Sequence, residues 1–285
     1  MKTPTIAIAS SIFLPGLLLW GCDALEISNS LQSSSTENTP SPQTGQGQLE
    51  LYANGEDFVR QGFVSKDGWQ INFDHVYVNL TEISAYQTDP AFDPDTNTKP
   101  QASIQASWQQ AQTIDLAAGD EQAQPILIDV IPASAGHYNA LAWNMKPAAD
   151  GAAQGQTLMF VGRAQKTAQT IDFTLKIDRE FAYLCGEFVG DERKGILSPK
   201  GIADLELTFH FDHIFGDSDV PANQAPNADA LGFEPLAALA SDATLEVNMT
   251  MLKEKLTPAD YSLLEKNISG LGHVGEGHCR ARQTL

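Results

Sequence analysis

The sequence predicts an all-β fold, an antiparallel β-sandwich with a short C-terminal helix. Three observations support this prediction. Many short segments alternate apolar and polar residues with a period of two, Gly, Pro and Asp turns separate them, and the clearest helical pattern lies near the C-terminus. The 285 residues are 42 % hydrophobic, so the chain can bury an ordinary core in one large domain.

The predicted strands follow one another after residue 47. They are residues 48–53, 69–80, 126–130, 137–145, 157–162, 170–177, 203–211 and 244–249. Successive side chains of a strand point to opposite faces, so each strand is expected to turn one apolar row towards the core. Two long polar loops, at 88–102 and 216–232, interrupt the pattern, and residues 93–97 within the first are predicted to form a solvated acidic turn.

Start and stop signals predict the C-terminal helix. Thr257 is the expected N-cap, Pro258 takes the first helical position, and Asp260 places an acid in the first turn. The helix is expected to end near Asn267, before Gly270. A shorter helix is predicted over residues 235–240.

The first segment is typical of an export signal. One positive charge, at Lys2, precedes an apolar stretch that is too short and too broken to span a membrane. The stretch ends in Leu19-Trp20-Gly21-Cys22, which resembles the lipobox of bacterial lipoproteins, although Trp is unusual at the second position. The resemblance implies cleavage before Cys22 and acylation of its thiol, as by palmitate. An ordinary secretory signal is the alternative.

Composition divides the rest of the chain. Residues 22–47 are rich in Ser, Thr, Gln and Pro and can bury little surface, so we expect a flexible linker there. The predicted organisation is therefore a signal peptide at 1–21, this linker, and a β-sandwich domain at 48–285. An acylated Cys22 would anchor the domain to the lipid membrane of the cell envelope, facing the periplasm or the cell exterior.

The charge of the chain excludes some partners. Acidic residues outnumber basic ones 36 to 17, for a formal net charge of −19. Nucleic acids and anionic lipid surfaces are bound through clustered Lys and Arg, which this composition does not favour. Cations are the more natural small partners.

Two cysteines remain after Cys22 is assigned to the lipid. Outside the cytoplasm, Cys185 and Cys279 are most simply expected to form a disulfide that ties the C-terminus to the middle of the chain. Thiolate metal ligation and two free thiols are the alternatives.

Two six-residue segments resemble each other. Residues 72–77 and 210–215 share Phe-Asp-His followed by a β-branched and an aromatic residue. The match indicates equivalent strands in two related halves. On such strands His75 and His213 would share the buried face with aromatic residues, and the aspartate before each histidine would point away.

Six histidines all fall in the predicted folded part, and four of them form two close pairs. His273 and His278 flank a glycine-rich turn, and His210 and His213 lie at the end of one predicted strand. Converging pairs of imidazoles suit Zn, Cu or Fe. We therefore predict a transition-metal site of His210, His213, His273 and His278, with His75 as a further candidate. Asp74 and Asp212 would accept hydrogen bonds from the imidazoles. Structural histidines without a metal are the alternative.

The sequence gives little support for catalysis. His-Glu-x-x-His, Gly-x-Ser-x-Gly and a phosphate-binding glycine loop are all missing from it. No catalytic residue is therefore predicted. A hydrolase that uses the bound metal is the minor alternative, and it would need one open coordination position.

Two turn motifs carry a further resemblance. Asp67-Gly68-Trp69, and the segment from Pro132 to Tyr138, resemble motifs of bacterial β-sandwich lipoproteins without an established activity. The resemblance covers about residues 47–215 and implies an all-β domain of the cell envelope. The sequence as a whole therefore favours an envelope lipoprotein that captures, stores or senses a transition metal. The alternative is a non-catalytic adhesion or scaffold module that binds another envelope protein.

Overall fold

The computed structural model describes residues 45–97, 99–122, 124–186, 188–190, 194–275 and 277–284. The predicted signal peptide and the predicted linker up to residue 44, with Cys22, lie outside these residues. In the part that is described, no helix is long and apolar enough to span a membrane.

Strands dominate the described chain. In chain order they are β1 (Gln46–Asn54), β2 (Phe63–Val64), β3 (Gln70–Thr88), β4 (Ala102–Asp115), β5 (Ile126–Ser134), β6 (Gly136–His137), β7 (Ala140–Met145), β8 (Leu158–Lys166), β9 (Gln169–Ile177), β10 (Glu180–Cys185), β11 (Ile196–Leu197), β12 (Ile202–Phe209), β13 (Thr244–Asn248), β14 (Gly272–Val274), β15 (Gly277–His278) and β16 (Arg280–Thr284). The helices are α1 (Glu56–Gln61), α2 (Asp212–Phe215), α3 (Glu234–Ala237), α4 (Met249–Lys255) and α5 (Pro258–Ser269). The predicted all-β class is confirmed.

The strands form two main sheets. The smaller has five strands in the order β15-β14-β12-β1-β5, and the larger has nine, of which seven follow the order β13-β9-β8-β3-β7-β10-β16. In the larger sheet β2 and β4 also pair with β3. Most pairs are antiparallel, as predicted, but β1–β12 and β13–β9 are parallel. Sequence pattern reveals antiparallel hairpins, whereas a parallel pair joins segments that are far apart in the chain.

Inner faces of both sheets share one core. Leu49 and Leu51 of β1, and Val76 and Val78 of β3, are fully buried members of the same apolar cluster. Alternation of buried and partly exposed residues along β1 is what a sheet with one buried face requires. The sandwich is therefore held together by apolar rows that the period of two predicts.

An aromatic cluster lies in this core. The ring centroid of Phe73 is 5.9 Å from those of Phe173 and Phe211, 6.2 Å from that of Phe215 and 6.3 Å from that of Phe160. Phe211 and Phe215 follow β12, whereas Phe73 belongs to the opposite sheet. The cluster therefore fixes the chain just beyond the end of β12.

The second copy of the sequence echo is not a strand. β12 ends at Phe209, and Asp212–Phe215 is a helical turn that ends at Gly216 with φ 70°. Phe211 and Phe215, four residues apart, are both buried, because residues with this spacing lie on the same side of a helical turn. The prediction of two equivalent strands was therefore wrong, and His213 lies on a turn.

The C-terminal helix agrees closely with its prediction. α5 begins after Thr257, whose Oγ1 accepts a hydrogen bond from Asp260 N at 3.1 Å, and ends before Gly270. The shorter predicted helix is present as α3, at residues 234–237.

Among the strands of six or more residues, β4 and β10 were not predicted. Most side chains of β4 are exposed, and its run of Gln, Ser and Ala has no apolar row of the kind that marks a half-buried strand. β10 pairs with β7 on one side and with β16 on the other, and both strands are distant from it in the chain.

The predicted disulfide is present. Cys185, at the end of β10, is bonded to Cys279, which lies between β15 and β16, and the two are separated by 94 residues in the chain. The bond ties the C-terminal strands to the larger sheet.

Candidate metal centre

A cleft of about 530 Å³ opens beyond the end of β12. His210, Asp212 and His213 line it from the turn that follows β12, and His273 lines it from β14. Loop 216–232 and the end of α5 contribute the remaining lining residues. Three of the predicted metal ligands thus share one cleft.

The three histidine rings are in mutual contact. The ring centroid of His273 lies 4.3 Å from that of His210 and 4.8 Å from that of His213, and the His210 and His213 centroids are 5.6 Å apart. His273 comes from a distant part of the chain because β14 pairs with the end of β12, where Thr208 is its partner. The sheet therefore brings the C-terminal histidine to the His210–His213 pair.

One backbone carbonyl orients two of the rings. Gly270 O accepts hydrogen bonds from His213 Nδ1 at 3.0 Å and from His273 Nε2 at 3.1 Å. A carbonyl only accepts, so these ring nitrogens carry the protons. In the neutral rings the lone pairs are then on His213 Nε2 and His273 Nδ1. Histidines that bind metals are usually held in this way, by a carbonyl or carboxylate on the other ring nitrogen.

Two carboxylates complete the cluster. Glu56 Oε2 of α1 lies 3.4 Å from His210 Nδ1, and the His210 side chain is mostly buried. Asp212 Oδ1 is buried and has no hydrogen-bond partner among the described residues. A buried carboxylate oxygen without a donor is costly, and a cation would satisfy it.

The electrostatics of the cleft favour a positive ligand. The carbonyl of Gly270 lies at the C-terminal end of α5, where the helix dipole places partial negative charge. Glu56 and Asp212 add two carboxylates, whereas the Lys266 ammonium at the cleft is 3.1 Å from the Asp229 carboxylate. Two carboxylates therefore lie beside the imidazoles of the cleft.

Three potential donor atoms lie near one another. His210, Asp212 and His213 each offer one ligand atom, and these atoms lie within 4.8 Å of one another. Tetrahedral Zn with bonds of about 2.0–2.1 Å separates its ligands by about 3.3–3.4 Å. The donor set fits an imidazole-binding metal better than Ca or Mg, which take oxygen ligands.

Loop 216–232, which forms part of the cleft, is fixed from inside. The buried Asn227 accepts a hydrogen bond from Asp217 N at 2.7 Å and donates to the carbonyls of Asp217 and Val220, both at 2.6 Å. Lys66 Nζ donates to the carbonyls of Asn227 and Ala230. These buried contacts, which the polar composition of the loop does not reveal, hold the loop beside the histidines.

Two stacked aromatic rings support the hairpin that carries His273. The Trp143 and Tyr183 rings are 4.9 Å apart and 14° from parallel, and burial raises the pKa of the Tyr183 hydroxyl. A Cβ at Gly272 would meet Tyr183 Cε1 at 2.6 Å and Trp143 Cζ2 at 2.8 Å. Glycine is therefore required for β14 to approach the rings.

His75 does not belong to the cluster. A β-bulge between Phe73 and His75 shifts the register against β8, so that His75 is exposed on the surface. The prediction that His75 lies on the buried face was therefore wrong. His75 Nδ1 donates to Asp115 Oδ2 at 2.7 Å, and its ring stacks on Tyr77.

The remaining predicted residues have different positions. Asp74 is exposed on β3, and the carboxylate that pairs with His75 is Asp115 instead. Asp212 lies among the potential ligand atoms themselves rather than behind an imidazole. The backbone of His278 pairs with that of His273 across the β14–β15 hairpin.

Glu56 and the carbonyl of Gly270 were not predicted from the sequence. Glu56 has a positive φ of 58° at the start of α1 and is far from His210 in the chain. A backbone carbonyl cannot be recognised from the residue type, although Gly270 was predicted to end α5. No match is found when the chain is compared with protein-family models, with curated proteins and with solved structures.

Proposed function

We propose that this protein is a lipid-anchored envelope protein that binds one transition-metal ion, for capture, storage or sensing. The observation that carries the proposal is the contact of three histidine rings and Asp212 in one cleft. His210, His213 and Asp212 would be the primary ligands, and His273 would supply a further nitrogen.

The donor chemistry supports this assignment. With the proton of His213 on Nδ1, its Nε2 has a lone pair for a metal, and the contact of His210 Nδ1 with Glu56 would leave His210 Nε2 in the same state. Nitrogen donors with one carboxylate suit Zn, Cu(II) or Fe. Binding would remove the cost of the buried Asp212 oxygen.

Metal content tests the proposal directly. The full chain, expressed into an oxidising compartment and purified with its anchor, is expected to hold about one ion when loaded with Zn or Co and measured by elemental analysis. The His210→Ala/His213→Ala variant is expected to hold none, because two ligands are lost. Glu56→Gln should weaken binding by about 10–100-fold, the usual effect of removing a group that orients a ligand.

The matched control is His75→Ala, which removes an exposed imidazole outside the cleft. It is expected to bind metal as the unchanged protein does, and circular dichroism should show all variants folded. A wild-type protein that cannot be loaded by titration, or a double variant that retains the metal, would refute the metal site.

The anchor is a separate part of the proposal. It is supported by the resemblance of Leu19-Trp20-Gly21-Cys22 to a lipobox and by the polar linker that follows. Two or three acyl chains, at about 0.8 kcal/mol per buried CH₂, would hold the domain at the membrane.

Labelling of the lipid tests the anchor. In a bacterial host, radioactive palmitate is expected to label the chain, and Cys22→Ser should abolish the label and release the protein from the membrane fraction. Cys185→Ser serves as the thiol control and should remain labelled. Soluble, unlabelled wild-type protein would contradict the lipoprotein assignment without bearing on the metal site.

A further inference from the structure

The outer face of the five-stranded sheet carries exposed apolar side chains. Leu127, Val130 and Ile202 are 46 %, 36 % and 63 % exposed, respectively. The register places Val130 opposite Glu50 and Leu127 opposite Tyr52 across β1 and β5. Residues opposite each other share a face of the sheet, so these side chains form one surface.

β12 extends this surface on the other side of β1. Ile202 is the partner of Gln48, and Asp204 is the partner of Glu50. With strands about 4.8 Å apart, the surface from β5 to β12 is about 10 Å wide. The buried neighbours Ala203 and Leu205 point to the core, which confirms that Ile202 and Asp204 face outwards.

The charges among these apolar residues are negative. Glu50 and Asp204 lie side by side, and Glu50 Oε2 accepts a hydrogen bond from the Tyr52 hydroxyl at 2.8 Å. Glu206, the next acid on β12, is instead 2.7 Å from Lys194 Nζ, which balances its charge. Glu50, Tyr52, Ile202 and Asp204 line a cleft of about 370 Å³, so this part of the surface is concave enough to receive side chains.

We propose that this face, defined by Glu50, Tyr52, Leu127, Val130, Ile202 and Asp204, binds a protein partner that presents Lys or Arg around apolar side chains. Charge complementarity selects this partner. A second copy of the chain would oppose Glu50 and Asp204 to the same acids, which is unfavourable for like charges. The proposal goes beyond metal binding and does not depend on a bound ion.

A synthetic peptide can serve as the probe. A twelve-residue peptide of alternating Lys and Val is added to the ¹⁵N-labelled full chain in detergent, with EDTA and about 0.15 M salt, which screens distant charges. Amide shift changes are expected on β1, β5 and β12. The same peptide with Glu in place of Lys should produce none.

Two pairs of variants make the test specific. Val130→Lys/Ile202→Lys changes only exposed side chains. It is expected to weaken peptide binding at least about tenfold, a loss of about 1.4 kcal/mol or more, because the new lysines repel those of the peptide. Phe188→Lys, which changes an exposed aromatic residue outside the face, should have little effect. Glu50→Gln/Asp204→Asn should weaken binding more than Asp178→Asn/Glu254→Gln, which removes two exposed acids elsewhere.

Three results would overturn the proposal. One is shift changes spread over the whole surface, which would indicate unspecific attraction to an acidic protein. Another is equal weakening by the face variants and their controls. The third is a dimer in analytical ultracentrifugation that Val130→Lys/Ile202→Lys dissociates, because the face would then belong to a second copy. None of these results depends on whether the histidine cluster binds metal.

Discussion

Replacing Phe211 with alanine is expected to lower the free energy of unfolding by about 3–5 kcal/mol, the usual cost of deleting a buried aromatic ring. Phe211 is fully buried, and its ring centroid lies 5.3 Å from that of Phe160 and 5.9 Å from that of Phe73. Both neighbours belong to the opposite sheet, so the substitution leaves a cavity between the sheets that rigid strands cannot close.

Urea unfolding monitored by tryptophan fluorescence measures this effect. EDTA should be present, because a bound metal would add stability of its own. Phe188→Ala is the matched control: Phe188 is 46 % exposed, and its removal should change the unfolding free energy by less than about 0.5 kcal/mol. Equal effects of the two substitutions would contradict the position of Phe211 in the core.

Phe211 also connects the core to the cleft. Phe211 lies between His210 and Asp212 in the chain, so its packing fixes the turn on which both are carried. The histidine cluster is thus held by the aromatic core below it, and a variant that loosens this core is expected to bind metal more weakly.

Removing the disulfide is expected to have a comparable effect. In the chain-entropy model, a bond that closes a loop of 94 residues contributes about 4–5 kcal/mol, because it restricts the unfolded chain. The Cys185→Ala/Cys279→Ala variant should therefore unfold at a lower urea concentration, with its melting temperature reduced accordingly.

Reduced wild-type protein is the control for this variant. It retains both sulfur atoms, so the difference between the oxidised and reduced forms isolates the cross-link from the packing of Cys185, which is fully buried. A difference below about 1 kcal/mol between the two forms would show that the bond does not constrain the unfolded chain as expected. Loss of the bond should also loosen the strands next to the His273 hairpin.

Local patterns in the sequence predicted local structure well. Thr257, Pro258 and Gly270 mark the ends of α5 because capping and stop signals act within a few residues. Leu49 and Leu51 identify the buried face of β1 because its two-residue period continues without interruption. The disulfide followed from the number of cysteines.

Failures of prediction occurred where one residue or a distant contact decided the structure. His75 turned outwards because a single bulge inverted its register, and a period of two cannot show where a bulge lies. His213 does not lie on a strand as predicted, because a helical turn also places Phe211 and Phe215 in the core. β4 was not predicted because its sequence has little apolar alternation, and the strand is stabilised by pairing with β3.

The all-β class, the C-terminal helix, the disulfide and the grouping of the histidines could all be predicted from local sequence patterns. Which histidines meet depends on the fold. β14 pairs with the end of β12 and brings His273 to His210 and His213, whereas Glu56 and the Gly270 carbonyl arrive from other elements. The physical reason is that residue types and periodicity are local properties, whereas a binding site depends on strand order and register, which long-range backbone pairing and core packing fix.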